Sequence, residues 1–182
     1  MKYPDPTKSL LVLIDMQEKL LRAMTDAEAC SARCSLLLQA ASAFGMPVIV
    51  TEQYPKGLGP TVSELAGKIP AGSPVIEKGA FSCFGEPRFV EAVEKAAPES
   101  LILCGIEAHV CAAQTALDAA NRGMNVFAVR DAMTSRHVPD RESAFSLLQA
   151  NGVQVLSAET LLFMLLRTSK HPAFKEISRL VK

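Results

Sequence analysis

The sequence predicts an α/β class protein, with a doubly wound, six-stranded, mostly parallel sheet in a single domain and helices on both faces. Three observations point there. Short apolar runs recur six times, helix-like stretches lie between them, and three of those stretches stop at a glycine that precedes the next run. The runs, at residues 10–14, 47–50, 74–76, 101–104, 126–129 and 153–156, are continuous rather than alternating, which suits strands covered on both faces. A repeated β-then-α order implies right-handed crossovers, and in such sheets ligands bind outside the carboxyl ends of the strands.

Residues 10–14 open the sheet and end at Asp15. Residues 26–44 follow as a helix, stopped by Gly45 at the expected place for a left-handed terminus. After the strand at 47–50, residues 51–60 carry two prolines and two glycines and read as a loop bordering the cleft. The run at 74–76 continues through Glu77 to Lys78, and a helix is predicted over 87–97. Residues 101–104 lead through Gly105, Ile106, Glu107, Ala108, His109 and Val110 into a helix at 110–122, with Cys111 in its first turn. Gly123 precedes the strand at 126–129, and Gly152, after a helix at 140–150, precedes the strand at 153–156. Residues 171–182 place Phe174, Ile177 and Leu180 or Val181 at helical spacing, with Lys175, Glu176 and Arg179 between them. A short amphipathic helix docked on the body or on another subunit is expected there.

Composition limits what the chain can do. At 182 residues and 49% hydrophobic content it can bury a sizeable core. Nineteen basic residues balance nineteen acidic ones, so no net field draws phosphate backbones or anionic membranes, and no nucleic-acid partner is expected. The five cysteines, at 30, 34, 83, 104 and 111, form no CxxC pair and read as reduced thiols in the cytoplasm. Residues 1–8 hold no apolar signal core, and no apolar stretch reaches the roughly 18 residues that span a bilayer. No GxGxxG follows the first strand, which disfavours a dinucleotide-binding dehydrogenase.

Asp15, Lys78 and Cys111 all end strand-like runs, so the topology gathers them at one edge. A thiol at the first turn of a helix feels the positive end of the backbone dipole, and free N–H groups there can receive an oxyanion. Bringing an ordinary thiol to a pKa of about 7 takes roughly 2 kcal/mol. A helix terminus supplies only about 0.3–1 kcal/mol, so Lys78 is expected to lower the thiol further. Taken alone, each residue has a plainer reading: Cys111 as core packing, Asp15 as a helix cap, Lys78 as a surface charge. Cys30 and Cys34, one helical turn apart, have no partners nearby to complete a metal set, and Cys83 and Cys104 read as structural.

Three segments, Leu11-Val-Leu-Ile-Asp15-Met-Gln17, Glu77-Lys78-Gly-Ala-Phe-Ser82 and Gly105-Ile-Glu-Ala-His-Val-Cys111, together resemble the isochorismatase-like cysteine hydrolase superfamily. Within it, the chain is similar to the isochorismatase domain-containing proteins through Thr51-Glu-Gln-Tyr-Pro-Lys-Gly-Leu-Gly-Pro60 and His171-Pro-Ala-Phe-Lys-Glu-Ile177. The resemblance implies a Rossmann-like six-stranded sheet, a catalytic triad of Asp15, Lys78 and Cys111, and a cis peptide between Ile106 and Glu107 beside an oxyanion hole. It also implies cleavage of a small amide or carbamoyl substrate through a thioester, in a homo-oligomer. Nicotinamidases of the superfamily place aspartate and histidine metal ligands after the second strand. Here Thr51-Glu52-Gln53-Tyr54 carries no histidine, so no catalytic metal or other cofactor is expected. True isochorismatases do not depend on the cysteine, and keeping Cys111 points away from enol-ether cleavage. Gln17, Tyr54, Phe81 and Phe84 are expected around the substrate, with Gln17 able instead to cap the helix that follows it. His109 offers a Cys–His dyad, but its place in the motif favours Asp15 as the base. The alternative from another class is a non-catalytic interaction or scaffold protein that keeps the hydrolase fold. Nucleic-acid hydrolysis is the weakest reading.

Overall fold

The computed structural model describes residues 3–182; Met1 and Lys2, the first two residues of the stretch read above for a signal core, lie outside the described residues. Strand β1 (Ser9–Ile14) is followed by the short helix α1 (Glu18–Leu21) and the long helix α2 (Ala27–Phe44), then β2 (Val48–Gln53). Two single-turn helices, α3 (Pro55–Leu58) and α4 (Ser63–Ala66), lead to β3 (Val75–Lys78), α5 (Pro87–Ala96) and β4 (Ser100–Ile106). Helix α6 (Ala113–Asn121), β5 (Asn125–Thr134), α7 (Val138–Ala150), β6 (Gln154–Leu156), α8 (Ala158–Leu166) and α9 (Phe174–Leu180) complete the chain. All six strands are parallel, in the order β3-β2-β1-β4-β5-β6. The strand order therefore reverses between β1 and β4, where a crevice opens in doubly wound sheets.

Alternation along the strands divides the core into two apolar layers. Leu11 and Leu13 of β1, with Ile102, Cys104 and Ile106 of β4, pack under α2, α8 and α9. Leu10, Val12 and Ile14, with Leu101 and Leu103, pack under α5, α6 and α7. Successive side chains on a strand point to opposite faces, so continuous apolar runs fill both layers at once. Gly45, Gly123 and Gly152 have φ of 65°, 80° and 81°, the left-handed conformation expected after a helix. Ile177 of α9 is fully buried in the α2 layer, so the C-terminal helix docks on the body of its own chain.

Several boundaries differ from expectation. β2 runs on through Thr51, Glu52 and Gln53, because these residues pair with β3 in the register Thr51 to Ile76, Glu52 to Glu77 and Gln53 to Lys78. The proline-glycine stretch after it forms a helical turn at Pro55–Leu58 rather than an open loop. α8 was not among the helices read from the sequence, since its nearly unbroken apolar residues carry no amphipathic period; Ser157 caps it, accepting from Thr160 N at 3.2 Å. Among the described residues, no helix is long and apolar enough to cross a membrane.

Candidate active site

Parallel register brings the three strand-end residues together. Ile14 pairs with Thr51 on one side and Gly105 on the other, so Asp15, the end of β2 and the β4 turn share one edge of the sheet. Asp15 has a φ of 51° and its N–H donates to Thr51 O at 3.1 Å. Gly105 has a φ of 112°, and a Cβ there would collide with the Ile14 carbonyl, so only glycine lets β4 lie this close to β1 just before Asp15. β3 reads exposed, buried, exposed, buried, which places Lys78 on the same face as Ile76, inside the layer that also holds Cys111.

The peptide between Ile106 and Glu107 is cis. The next five residues, Ala108–Ala112, form a π-helical turn in which Ala112 N donates to Glu107 O at 3.2 Å, and α6 then continues the chain. Such wide turns recur at functional sites. Cys111 therefore stands one turn earlier than the regular α-helix that the sequence predicts around it. Thr115 fastens this turn to the Lys78 segment: its hydroxyl donates to Cys111 O at 2.7 Å and accepts from Cys83 N at 3.0 Å.

Lys78 is the hub. Its ammonium lies 2.7 Å from Asp15 Oδ2 and 3.4 Å from Cys111 Sγ, and it donates to Gln53 Oε1 at 2.6 Å and Phe81 O at 3.1 Å. The Lys78 and Asp15 side chains have no solvent exposure, whereas Cys111 retains 7%. Asp15 Oδ1 accepts from the Thr51 hydroxyl at 2.7 Å. Oδ2 has the lysine charge beside it but no hydrogen bond of good geometry. One carboxylate oxygen is thus held and the other can take a proton.

Burial, followed by the Asp15 charge, pushes the Cys111 thiol up to about 12, and the pull of Lys78 does not offset them. This corrects the expectation of a depressed thiol. With Asp15 ionised, the Asp15–Lys78 pair is already neutral, so ionising Cys111 would strand a net negative charge in a buried site. Burial also works against the Lys78 ammonium, but Asp15 and then Cys111 outweigh it and its pKa is raised. Cys83, buried against Thr51, is pushed up to about 11, chiefly by burial. An unfolded chain would release both thiol protons near 9.0, and the Lys78 proton near 10.5. The folded state binds more protons across that interval, so each contribution is intact below the unfolded value and is lost as pH climbs above it. The unfolding free energy from urea titrations is expected to fall from pH 9.0 to pH 10.5 as the two thiols pass their unfolded value, with a slope of about 1.4 kcal/mol per pH unit for each group fully within its window, and Lys78 adds to the fall only above 10.5. Cys111→Ala should flatten that slope in parallel urea titrations.

The other expected site residues are placed differently. Gln17 is fully buried and makes no side-chain cap. Its amide donates to Gln53 O at 3.0 Å and Gly59 O at 2.6 Å and accepts from Gln53 N at 2.7 Å, pinning the segment after β2. Tyr54 and Phe81 are 59% and 54% exposed on the β2–β3 side of the edge. Phe84 does not join them: a tight turn at Cys83–Gly85 directs it into the core, edge-on to Phe89 and beneath the Arg122 guanidinium. His109 Nδ1 lies 2.9 Å from Ser135 Oγ. Sequence reasoning missed Thr51 and Gln53, which orient Asp15 and Lys78. Both follow the apolar run of the second strand, but only the extension of β2 through Gln53 brings them to Asp15 and Lys78. Cys30, Cys34 and Cys104 are buried in the α2 layer, and among the described residues no cluster of His, Cys, Asp and Glu could hold a metal ion.

The family profile described as Isochorismatase domain matches residues 9–160. Isochorismatase domain-containing protein 2 of Danio rerio is 42% identical over 173 residues, covering 95% of this chain and 86% of that protein. Among solved structures, MAR1 ribonuclease from Caenorhabditis elegans superposes with a TM-score of 0.94 at 37% identity, covering 99% of this chain and 92% of that one. YcaC from Pseudomonas aeruginosa, with hexane-2,5-diol and covalent acrylamide, does so at 0.90 and 26%, covering 97% and 90%. YcaC from Escherichia coli, an octameric hydrolase of unknown specificity, does so at 0.92 and 25%, covering 99% and 91%.

Proposed function

The chain belongs to the isochorismatase domain family, and from that premise we propose that it is a metal-independent cysteine hydrolase that opens the C–N bond of a small amide or carbamoyl compound. The observation that carries the reading is the convergence of Asp15, Lys78 and Cys111 on one buried point, with Cys111 the most exposed of the three. A fully buried ion pair is a poor device for stability, because its desolvation offsets most of the attraction. A scaffold would be served as well by apolar side chains. A nucleophile that needs a base and a cation out of water would not.

Cys111 Sγ attacks the substrate carbonyl carbon as the thiol proton passes to Asp15 Oδ2, so charge separates only when the new bond forms. The oxyanion is received by the N–H groups of Glu107 and Cys111. The C–N bond then breaks and the amine leaves with the proton from Asp15. Water attacks the thioester, giving its proton to Asp15, and the acid departs as sulfur regains that proton. Lys78 compensates the negative charge at each stage. The acrylamide borne by the Pseudomonas aeruginosa YcaC shows an amide-bearing electrophile attached to a related protein, which supports probing Cys111 the same way. The octameric Escherichia coli relative supports a homo-oligomer, which sedimentation at low micromolar concentration would measure.

A panel of small amides, assayed by amine release with wild type and Cys111→Ala, tests the reading. Turnover should vanish in the variant, and quenched wild-type reactions should show an acyl adduct on Cys111 by intact mass. Amide hydrolysis that survives the substitution would exclude Cys111 as the nucleophile.

A further inference from the structure

The sheet fixes only part of the surroundings of Lys78. Asp15 and Gln53 approach its ammonium from the ends of β1 and β2, where strand pairing holds them. The carbonyls of Ala80, at 3.3 Å, and Phe81, at 3.1 Å, also accept from it, but they lie in residues 79–82, a stretch that belongs to no strand or helix. Its position has to come from elsewhere, and α6 supplies it. Ser82 Oγ donates to Asp118 Oδ2 at 2.6 Å, Cys83 N donates to Thr115 Oγ1 at 3.0 Å, and the Arg122 guanidinium lies over the Phe84 ring at 4.5 Å. Thr115, Asp118 and Arg122 stand three and four residues apart and so share one face, and Cys111 begins the same stripe four residues before Thr115.

Of these contacts the hydroxyl of Ser82 on the Asp118 carboxylate is the short, charge-assisted one. The same hydroxyl accepts from Phe84 N at 3.3 Å, so it is held from both sides. A Cβ at Gly85 would lie 2.5 Å from the Ala80 Cβ; the loop is folded tightly on itself, and a pull on Ser82 reaches Ala80 and Phe81. We propose that Asp118 is a positioning residue. Acting through Ser82, it holds the two carbonyls where they draw the Lys78 ammonium toward α6 and the Cys111 sulfur, while Asp15 and Gln53 draw it toward the sheet. The inference rests on the hydrolase reading above and adds to that site a residue two helical turns from the nucleophile.

Alkylation of Cys111 by iodoacetate and by iodoacetamide, followed by peptide mass, reads the charge beside the sulfur without turnover, because accessibility cancels in the ratio of the two rates. Asp118→Leu should lower the iodoacetate-to-iodoacetamide ratio by about 3- to 10-fold, the effect of moving one charge slightly further from the sulfur. Loss of a carboxylate would by itself favour the anionic reagent, so a fall reports the retreat of the Lys78 charge. Ser82→Ala, which keeps the carboxylate and loses the donor, should lower the ratio equally. Asp118→Asn, which keeps an acceptor for Ser82, should hold it at or above the wild-type value. In the amide assay, Asp118→Leu should lower kcat by about 10- to 100-fold with KM within about twofold of wild type. A ratio unchanged or raised in either Asp118→Leu or Ser82→Ala overturns the inference, as does an undiminished kcat or a fall in Asp118→Asn as large as in Asp118→Leu. If Asp118→Leu does not fold, Ser82→Ala decides in both assays. If no amide is hydrolysed the cysteine hydrolase reading fails, and the reagent ratio decides the inference by itself.

Discussion

Replacing Asp15 with asparagine is expected to lower turnover by about 100- to 10,000-fold while making Cys111 easier to ionise. The two effects have one origin. In the wild type, Asp15 and Lys78 cancel, so a thiolate would add an uncompensated charge to a buried site, and the thiol is pushed up to about 12. With asparagine at position 15, the lysine becomes the partner of the sulfur, and ionisation of Cys111 makes the site neutral. Its pKa should fall, read as ultraviolet thiolate absorbance against pH and as faster iodoacetamide alkylation at neutral pH. Catalysis fails nonetheless, because no group remains to deliver a proton to the leaving amine. A variant with an inert thiol, or one that keeps turning over, would remove Asp15 from the proposed role.

Lys78→Met is expected to cost about 3–5 kcal/mol of folding stability, the usual result of stranding one half of a buried ion pair. For a chain of this size that corresponds to a fall in Tm of about 6–20 °C, measurable by calorimetry. The Asp15→Asn/Lys78→Met double variant removes both charges and should regain most of the lost stability without regaining activity. That non-additivity distinguishes a charge left alone from a cavity left behind. A double variant as unstable as Lys78→Met would mean that packing, not charge, holds Lys78 in place.

Much of this site was legible because parallel strands put their ends on one edge. Asp15, Lys78 and Cys111 each follow an apolar run, and the α/β order alone gathers them. Thr51 and Gln53 escaped because they were read as the start of a loop; only the pairing of β2 with β3 shows that the strand extends far enough to carry them to Asp15 and Lys78. Phe84 was misplaced because spacing cannot reveal the tight turn that directs it inward. The direction of the Cys111 shift was also beyond reach. A lysine nearby and a carboxylate nearby pull oppositely, and only the depth of burial decides between them.

The unequal treatment of the two Asp15 oxygens has a kinetic meaning. A carboxyl group holds one mobile proton, and with Oδ1 accepting from Thr51 that proton is placed on Oδ2, the oxygen beside Lys78. A second proton cannot board until the first has left, so water cannot be deprotonated before the amine has departed. In the proposed reaction the Thr51 hydroxyl fixes where the proton waits, and the single proton keeps the sequence: acylation must discharge before hydrolysis can begin, and reversal by returning amine competes only while Oδ2 is empty.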